Sequence, residues 1–171
     1  MSLFKGFYRK LMVRKNPIKY WRNQGVKIGE KCEIYPSVSF GSEPYLVELG
    51  NHVRVTDGVK FITHDGGVWV LRGLKDEYKD IDLFGKIVVG DNVHIGMDVT
   101  IMPGVKIGSN CVIGLGAIVT KDIPDNSIAV GVPAKVIRTI DEYEENNKSE
   151  FMHTKGMSNE EKKKFLLENL K

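Results

Sequence analysis

The sequence predicts an all-β protein wound as a parallel β-helix, and three observations carry that reading. Residues 89–124 divide into six consecutive hexads, VGDNVH, IGMDVT, IMPGVK, IGSNCV, IGLGAI and VTKDIP, each opened by Val or Ile. The residue four places after each opener is small or aliphatic: Val93, Val99, Val105, Cys111, Ala117 and Ile123. The same period occurs earlier in the chain, with openers Ile28, Ile34 and Phe40, then Leu49, Val55 and Phe61. This spacing is neither the helical period nor simple strand alternation. It fits short flat strands joined by corners, one hexad to each strand and three hexads to each coil.

Ahead of the repeat, residues 1–29 hold eight Lys or Arg and no Asp or Glu. Leu3, Phe4, Phe7, Tyr8, Leu11 and Met12 recur at helical spacing among these cations. Asn16-Pro17 breaks the pattern, and Pro17 suits the first turn of a second helix. A basic amphipathic helix can cover the open edge of the first coil, or lie weakly on an anionic membrane surface through residues 1–24. The cap is the preferred reading, and it assigns residues 1–27 to a helical cap.

The repeat proper gives coils at 28–45, 49–66, 89–106 and 107–124. In each hexad the opener and the residue four places on point inward by the two-residue alternation of strands. Burying twelve aliphatic or Phe openers at about 1.5–3 kcal/mol each supplies a core of ordinary size. Ten of the twelve second inward sites hold Val, Cys, Ala or Ile; Pro44 and Asp65 depart. Pairs such as Asp91-Asn92 and Ser109-Asn110 are corner chemistry. Two interruptions shift the phase: a bulge expected at Leu46-Val47-Glu48, and an excursion over 67–88 whose Trp69, Val70, Leu71, Tyr78, Leu83 and Phe84 argue for an ordered projecting arm.

Beyond Pro124, IAVGVPAKVIR reads as a last partial coil. Residues 139–171 form a charged tail, in which Ser158-Asn159-Glu160-Glu161 has capping-box spacing and Phe165, Leu166, Leu167 and Leu170 give a narrow apolar face. The β-helix domain therefore spans 28–138.

Composition narrows the function classes. A chain that is 27% charged and 42% hydrophobic has an ordinary soluble balance. Its net charge of +3 is too small to argue for nucleic acid, and none is expected as a partner. Cys32 and Cys111 fall at inward positions without zinc spacing, which reads as two buried thiols in a reducing compartment and no metal. No apolar run approaches the roughly 18 residues of a membrane span, and MSLFKGFYRK lacks a signal-peptide core, so a cytoplasmic protein is expected.

One residue stands out chemically. His64 lies at the end of a coil beside Asp65, just before the long excursion. Imidazole can take a proton from a hydroxyl and hand it to a leaving group near neutral pH. Asp65 either orients that ring or ends the coil. From the residues alone, a base and a surface histidine at a loop mouth are equal readings of His64.

The hexads, and above all the segment VIGLGAIVTKDIPDNSIAVGVPAKVIR, resemble the hexapeptide-repeat acyltransferases, in the branch of maltose, galactoside and capsular-sugar O-acetyltransferases. The resemblance covers residues 28–138. It implies a left-handed β-helix of about four to five coils, a homotrimer with active sites between subunits, and acetyl-CoA as donor. The implied acceptor is a sugar hydroxyl in surface polysaccharide or saccharide metabolism.

Residue by residue, the resemblance puts His64 at the place of the catalytic base, with Asp65 as its candidate partner. The amide of Met97 falls at the acetyl-binding position. Leu115 and Gly116 match the place where pantetheine lies, and Thr120, Lys121, Lys135 and Arg138 match residues that hold the cofactor tail. Lys135 stands where some relatives carry Arg, which exchanges a two-pronged contact for a point charge. No nucleophile motif is present, so direct transfer in a ternary complex is expected in place of an acyl-enzyme.

Three departures lie on the acceptor side. His94 stands where many relatives have Trp, the family's sugar-gripping Asn is replaced by the stretch Phe40-Gly41-Ser42-Glu43-Pro44-Tyr45, and the arm over 67–88 differs. The acceptor is thus open between a sugar hydroxyl, the amino group of a nucleotide-linked sugar and an antibiotic hydroxyl. A more distant alternative is a non-catalytic or carbonic-anhydrase-like trimer, for which His64 and His94 supply two of three required histidines.

Overall fold

The computed structural model describes residues 12–170. The apolar residues Leu3 to Leu11, on which the membrane-surface reading rests, lie outside the described residues. Contacts divide the chain into two units, 1–140 and 141–171.

The first unit is built on three parallel sheets that the chain visits in turn. The first sheet holds β1 (Lys27–Ile28), β3 (Val47–Leu49), β6 (Ile87–Val89) and β9 (Lys106–Ile107). The second holds β2 (Glu33–Ile34), β4 (Val53–Val55), β7 (Val93–Ile95), β10 (Cys111–Ile113) and β12 (Ser127–Val130), closed by β13 (Lys135–Thr139) running antiparallel to β12. The third holds β5 (Lys60–Phe61), β8 (Thr100–Ile101) and β11 (Ile118–Val119).

Register follows the hexads. Ile28, Leu49, Val89 and Ile107 are successive partners in the first sheet, and Ile123 continues their row by a parallel bridge. Ile34, Val55, Ile95, Ile113 and Ala129 do the same in the second sheet, and Phe61, Ile101 and Val119 in the third. All twelve openers are buried. Each coil thereby satisfies the backbone of the next while its openers share one apolar core.

Where the phase shifts, the structure differs from the expectation. Val47 is fully buried and pairs with Ile87, so it belongs to the regular core. The extra residues lie just upstream, where Pro44–Leu46 forms a short 3-10 turn. Ile87 and Val88 belong to β6, so the excursion ends at residue 86. The second inward site fails at three places: Cys32 and Pro44 are half-buried and Asp65 is exposed.

The corners between the first and second sheets repeat one conformation. Lys31, His52, Asn92, Asn110 and Asn126 all have φ of 55–58°. Asn tolerates this left-handed region better than most residues. Its amides also link coil to coil: Asn92 Nδ2 donates to Asn110 Oδ1 and Asn110 Nδ2 to Asn126 Oδ1, both at 2.9 Å.

At the start of the repeat, Asn16 caps α1 (Pro17–Asn23) by accepting from the Lys19 amide at 2.9 Å. Trp21 of α1 is buried with its ring centroid 4.8 Å from that of Phe40. Arg22 donates to the carbonyls of Ile28 and Gly29, tying the helix to β1.

In the second unit, α4 (Asn159–Asn169) opens with the expected capping box: the Glu161 amide donates to Ser158 Oγ and the Ser158 amide to Glu161 Oε2. Its Leu167, and Leu170 just beyond its end, are exposed. The unit boundary falls after Ile140, inside α3 (Ile140–Asn147), slightly beyond the expected domain edge at 138. No helix among the described residues is long and apolar enough to cross a membrane.

Candidate active site

The candidate site forms where the chain passes from the third sheet back to the first. In one coil this passage runs from Phe40 to Val47, and in the next it leaves Phe61 through Thr63 and His64. Phe40 and Phe61 stack with centroids 4.7 Å apart, so the residues three places beyond each, Glu43 and His64, meet across neighbouring coils. Gly41 makes the approach possible: at φ +67°, a Cβ there would stand 2.7 Å from Thr63 Oγ1.

Three groups converge on one oxygen. Glu43 Oε2 accepts from Thr63 Oγ1 at 2.8 Å and from Ser42 Oγ at 2.9 Å, and stands 3.2 Å from His64 Nδ1. Ser42 Oγ also stands 3.2 Å from His64 Nδ1. Thr63 is fully buried, whereas the His64 side chain is 47% exposed. Burial pushes the Glu43 carboxyl up, but the hydrogen bonds from Thr63, Ser42 and His64 outweigh it and hold the group below the usual carboxylate range.

The arm leaves and re-enters at this site through antiparallel pairing. His64 bridges Phe84, the Asp65 amide donates to Leu83 O at 2.8 Å, and the Gly85 amide donates to Thr63 O at 2.9 Å. Between these anchors the arm is ordered, with α2 (Val68–Leu74), a 3-10 turn at Asp76–Tyr78, and Arg72 donating to Ile81 O and paired with Asp82. Phe84 sets its ring edge-on to the imidazole at 6.4 Å and is half exposed.

Asp65 requires a correction. Its carboxylate accepts from the Gly67 amide at 2.8 Å, turning the chain into the arm, while the carboxylate on His64 belongs to Glu43. Glu43, Ser42 and Thr63 escaped the sequence reading. A signal existed: Glu43 and His64 are separated by 21 residues, the same interval as Phe40 to Phe61 and Ile28 to its partner Leu49. The expected coils 28–45 and 49–66 already carry this interval, so Glu43 and His64 share one hexad position whether the extra residues are set at 46–48 or at Pro44–Leu46.

The remaining expected residues lie elsewhere on the coils. Met97 and Leu115 sit at successive corners between the second and third sheets, joined by the Gly116 amide donating to Met97 O at 2.7 Å. Met97 is 53% and Leu115 80% exposed. Gly116 has φ +67° and faces open space. Thr120 and Lys121 are exposed just after β11; Lys135 and Arg138 lie on β13. One protomer therefore sets His64 and Met97 on different corners.

His94 pairs with Arg54 and Val112 on the second sheet. Burial, and then the Arg54 charge, push its imidazole below the ordinary value against an opposing effect of Glu33. Arg54 is held by Glu33 Oε2 at 2.8 Å and donates to the Tyr35 hydroxyl at 2.9 Å. Among the described residues, no group of three or more His, Cys, Asp or Glu is arranged to hold a metal.

Comparison with known proteins adds the family. The pattern of the bacterial transferase hexapeptide (six repeats) matches residues 86–121. Protein CapG of Staphylococcus aureus is 47% identical over 169 residues, 98% of this chain and 96% of that protein. A maltose O-acetyltransferase from Clostridium difficile 630 superposes with a TM-score of 0.59 at 26% identity, over 77% of this chain and 82% of that one. A galactoside acetyltransferase in complex with coenzyme A superposes at 0.58 with 26% identity, over 90% and 85%. With its openers in register and a relative matched over nearly its full length, the chain belongs to the hexapeptide-repeat O-acetyltransferases.

Proposed function

We propose that the protein transfers the acetyl group of acetyl-CoA to a hydroxyl of a sugar, with His64 as general base. The observation that carries this reading is the imidazole whose Nδ1 is turned onto Glu43 while the half-exposed ring leaves Nε2 for a substrate. The acceptor oxygen attacks the thioester carbonyl as its proton passes to His64 Nε2. Collapse of the tetrahedral intermediate breaks the C–S bond, and His64 returns the proton to the thiolate. The products are the acetyl ester and free coenzyme A. General-base help of this kind is worth about 10²–10⁴ in rate.

The donor reading rests on family membership and on the coenzyme A held by the galactoside acetyltransferase neighbour. We assign the Met97 amide to the thioester oxygen, Leu115 and Gly116 to pantetheine, and Thr120, Lys121, Lys135 and Arg138 to the cofactor tail. Because His64 and Met97 occupy different corners of one protomer, a complete site needs two subunits, which supports a homotrimer. Left-handed winding, four coils with a partial fifth and an end cap that includes α1 complete the reading. Asp65 is assigned to closing the base of the arm. Two free cysteines, Cys32 and Cys111, fit work in the cytoplasm.

The test is thiol release from acetyl-CoA across a panel of sugars, nucleotide-linked amino sugars and antibiotics. Acceleration by a sugar hydroxyl, with ester formed, is the expected result. Amide formation on an amino sugar overturns the acceptor assignment, and no acceleration by any acceptor class overturns the activity.

A further inference from the structure

Proton bookkeeping at Glu43 Oε2 identifies a constraint on the base. The hydroxyls of Thr63 and Ser42 each carry one proton, and both are spent on Glu43 Oε2. What those hydroxyls then offer is acceptor oxygen only. His64 Nδ1 faces Glu43 Oε2 and Ser42 Oγ, each at 3.2 Å, so it faces two acceptors. A bare lone pair there would be repelled by both, and a proton there satisfies the cluster. That proton leaves the lone pair on Nε2, the atom required to receive the acceptor's proton.

Thr63 makes this arrangement rigid. Its side chain is fully buried, at a place where Val would fill the same volume. The hydroxyl fixes the carboxylate from inside the coil, and the Gly85 amide fixes the Thr63 carbonyl from the arm. The lowered carboxyl of Glu43 agrees with a group held in its charged form.

We propose that Glu43 and Thr63 are positioning residues for acetyl transfer: Thr63 holds Glu43, and Glu43 holds His64 in the tautomer with Nδ1 protonated and Nε2 free. This rests on the reading of His64 as the base. Neither residue need touch acceptor or donor; both act through the ring.

The experiment combines steady-state kinetics with 15N NMR of the histidine rings in the full-length protein. Glu43→Gln is expected to lower kcat by about 10–100-fold with the KM for acetyl-CoA held within about twofold, and to shift the His64 signals towards mixed tautomers. Thr63→Val lowers kcat by about 3–10-fold in the same direction, and Thr63→Ser, which keeps the hydroxyl, restores it to within about twofold. On a His64→Ala background neither substitution lowers the rate further. Unchanged kcat and an unchanged tautomer in Glu43→Gln, with His64→Ala inactive, overturn the pair and leave the base assignment standing. Wild-type turnover in His64→Ala overturns both. A Glu43→Gln loss of the same size on the His64→Ala background also overturns the proposal, since Glu43 would then act on the acceptor directly. Thermal melts separate misfolding of Thr63→Val from these outcomes, and Glu43→Gln, on a partly exposed side chain, carries the test if that variant fails to fold.

Discussion

Phe40 and Phe61 stack face to face, their centroids 4.7 Å apart and their planes 2° from parallel. Trp21 packs on the far side of Phe40, so three aromatic rings fill the start of the core. The same stack fixes the register of the two coils that carry Glu43 and His64. Stability and site geometry therefore share one contact.

Phe40→Ala should cost about 3–5 kcal/mol, because it removes a fully buried ring and leaves a cavity between Trp21 and Phe61. Denaturant titration measures this. Phe40→Leu should cost much less and retain activity. Equal losses for both variants would show that ring stacking, and not volume, sets the register.

The corner ladder gives a second expectation. Asn110→Ala removes two side-chain hydrogen bonds and places a Cβ-bearing residue without a local polar partner at φ 56°. The expected cost is about 1–3 kcal/mol. Asn110→Gly keeps the backbone conformation and should lose less. Chemical denaturation of the pair separates the hydrogen bonds from the backbone preference.

Glu48 accepts from Lys27 Nζ at 2.5 Å and pairs with Lys86 Nζ at 2.8 Å. These bonds, Lys27 first, hold its carboxyl below the usual range against a smaller effect of burial. A carboxyl lowered in the folded state stabilises above its unfolded value of about 4.3. That contribution is lost as pH falls through the lower folded value. Wild type should lose stability below about pH 4.3, and Glu48→Gln should lose less over the same interval, as read from unfolding free energies across an acid series.

His94 has the opposite consequence for its charged form. Its imidazole is lowered by burial and by Arg54, so the folded protein favours the neutral ring. Stability is then full above the ordinary imidazole value of about 6.5 and declines as pH falls from there towards the folded value. His94→Gln should flatten that decline while leaving the acid limb of Glu48 in place. An unchanged slope in the variant would assign it to other groups.

Much of the fold was legible in the sequence because the hexad openers have one dominant reason to exist: each buries an aliphatic or aromatic side chain against the opener of the next coil. The repeat supplied the register from Ile28 to Val119 without any tertiary information. The capping box at Ser158 was legible for a similar reason, since its partners are three residues apart. The site was only half legible. His64 drew notice through its chemistry and its place before the arm. Its partner sits 21 residues earlier, at the same hexad position of the preceding coil, and is found only by reading across coils. Read along the chain, Asp65, adjacent in sequence, is the apparent partner. Residues adjacent in a strand point to opposite sides, and Asp65 in fact turns towards Gly67.

The most direct test is His64→Ala, assayed by thiol release with the best acceptor and by calorimetric titration with acetyl-CoA. The expected result is a fall in kcat of about 10²–10⁴ with donor binding changed by less than about twofold. A variant that binds donor and turns over at the wild-type rate would contradict the assignment of His64 as the base.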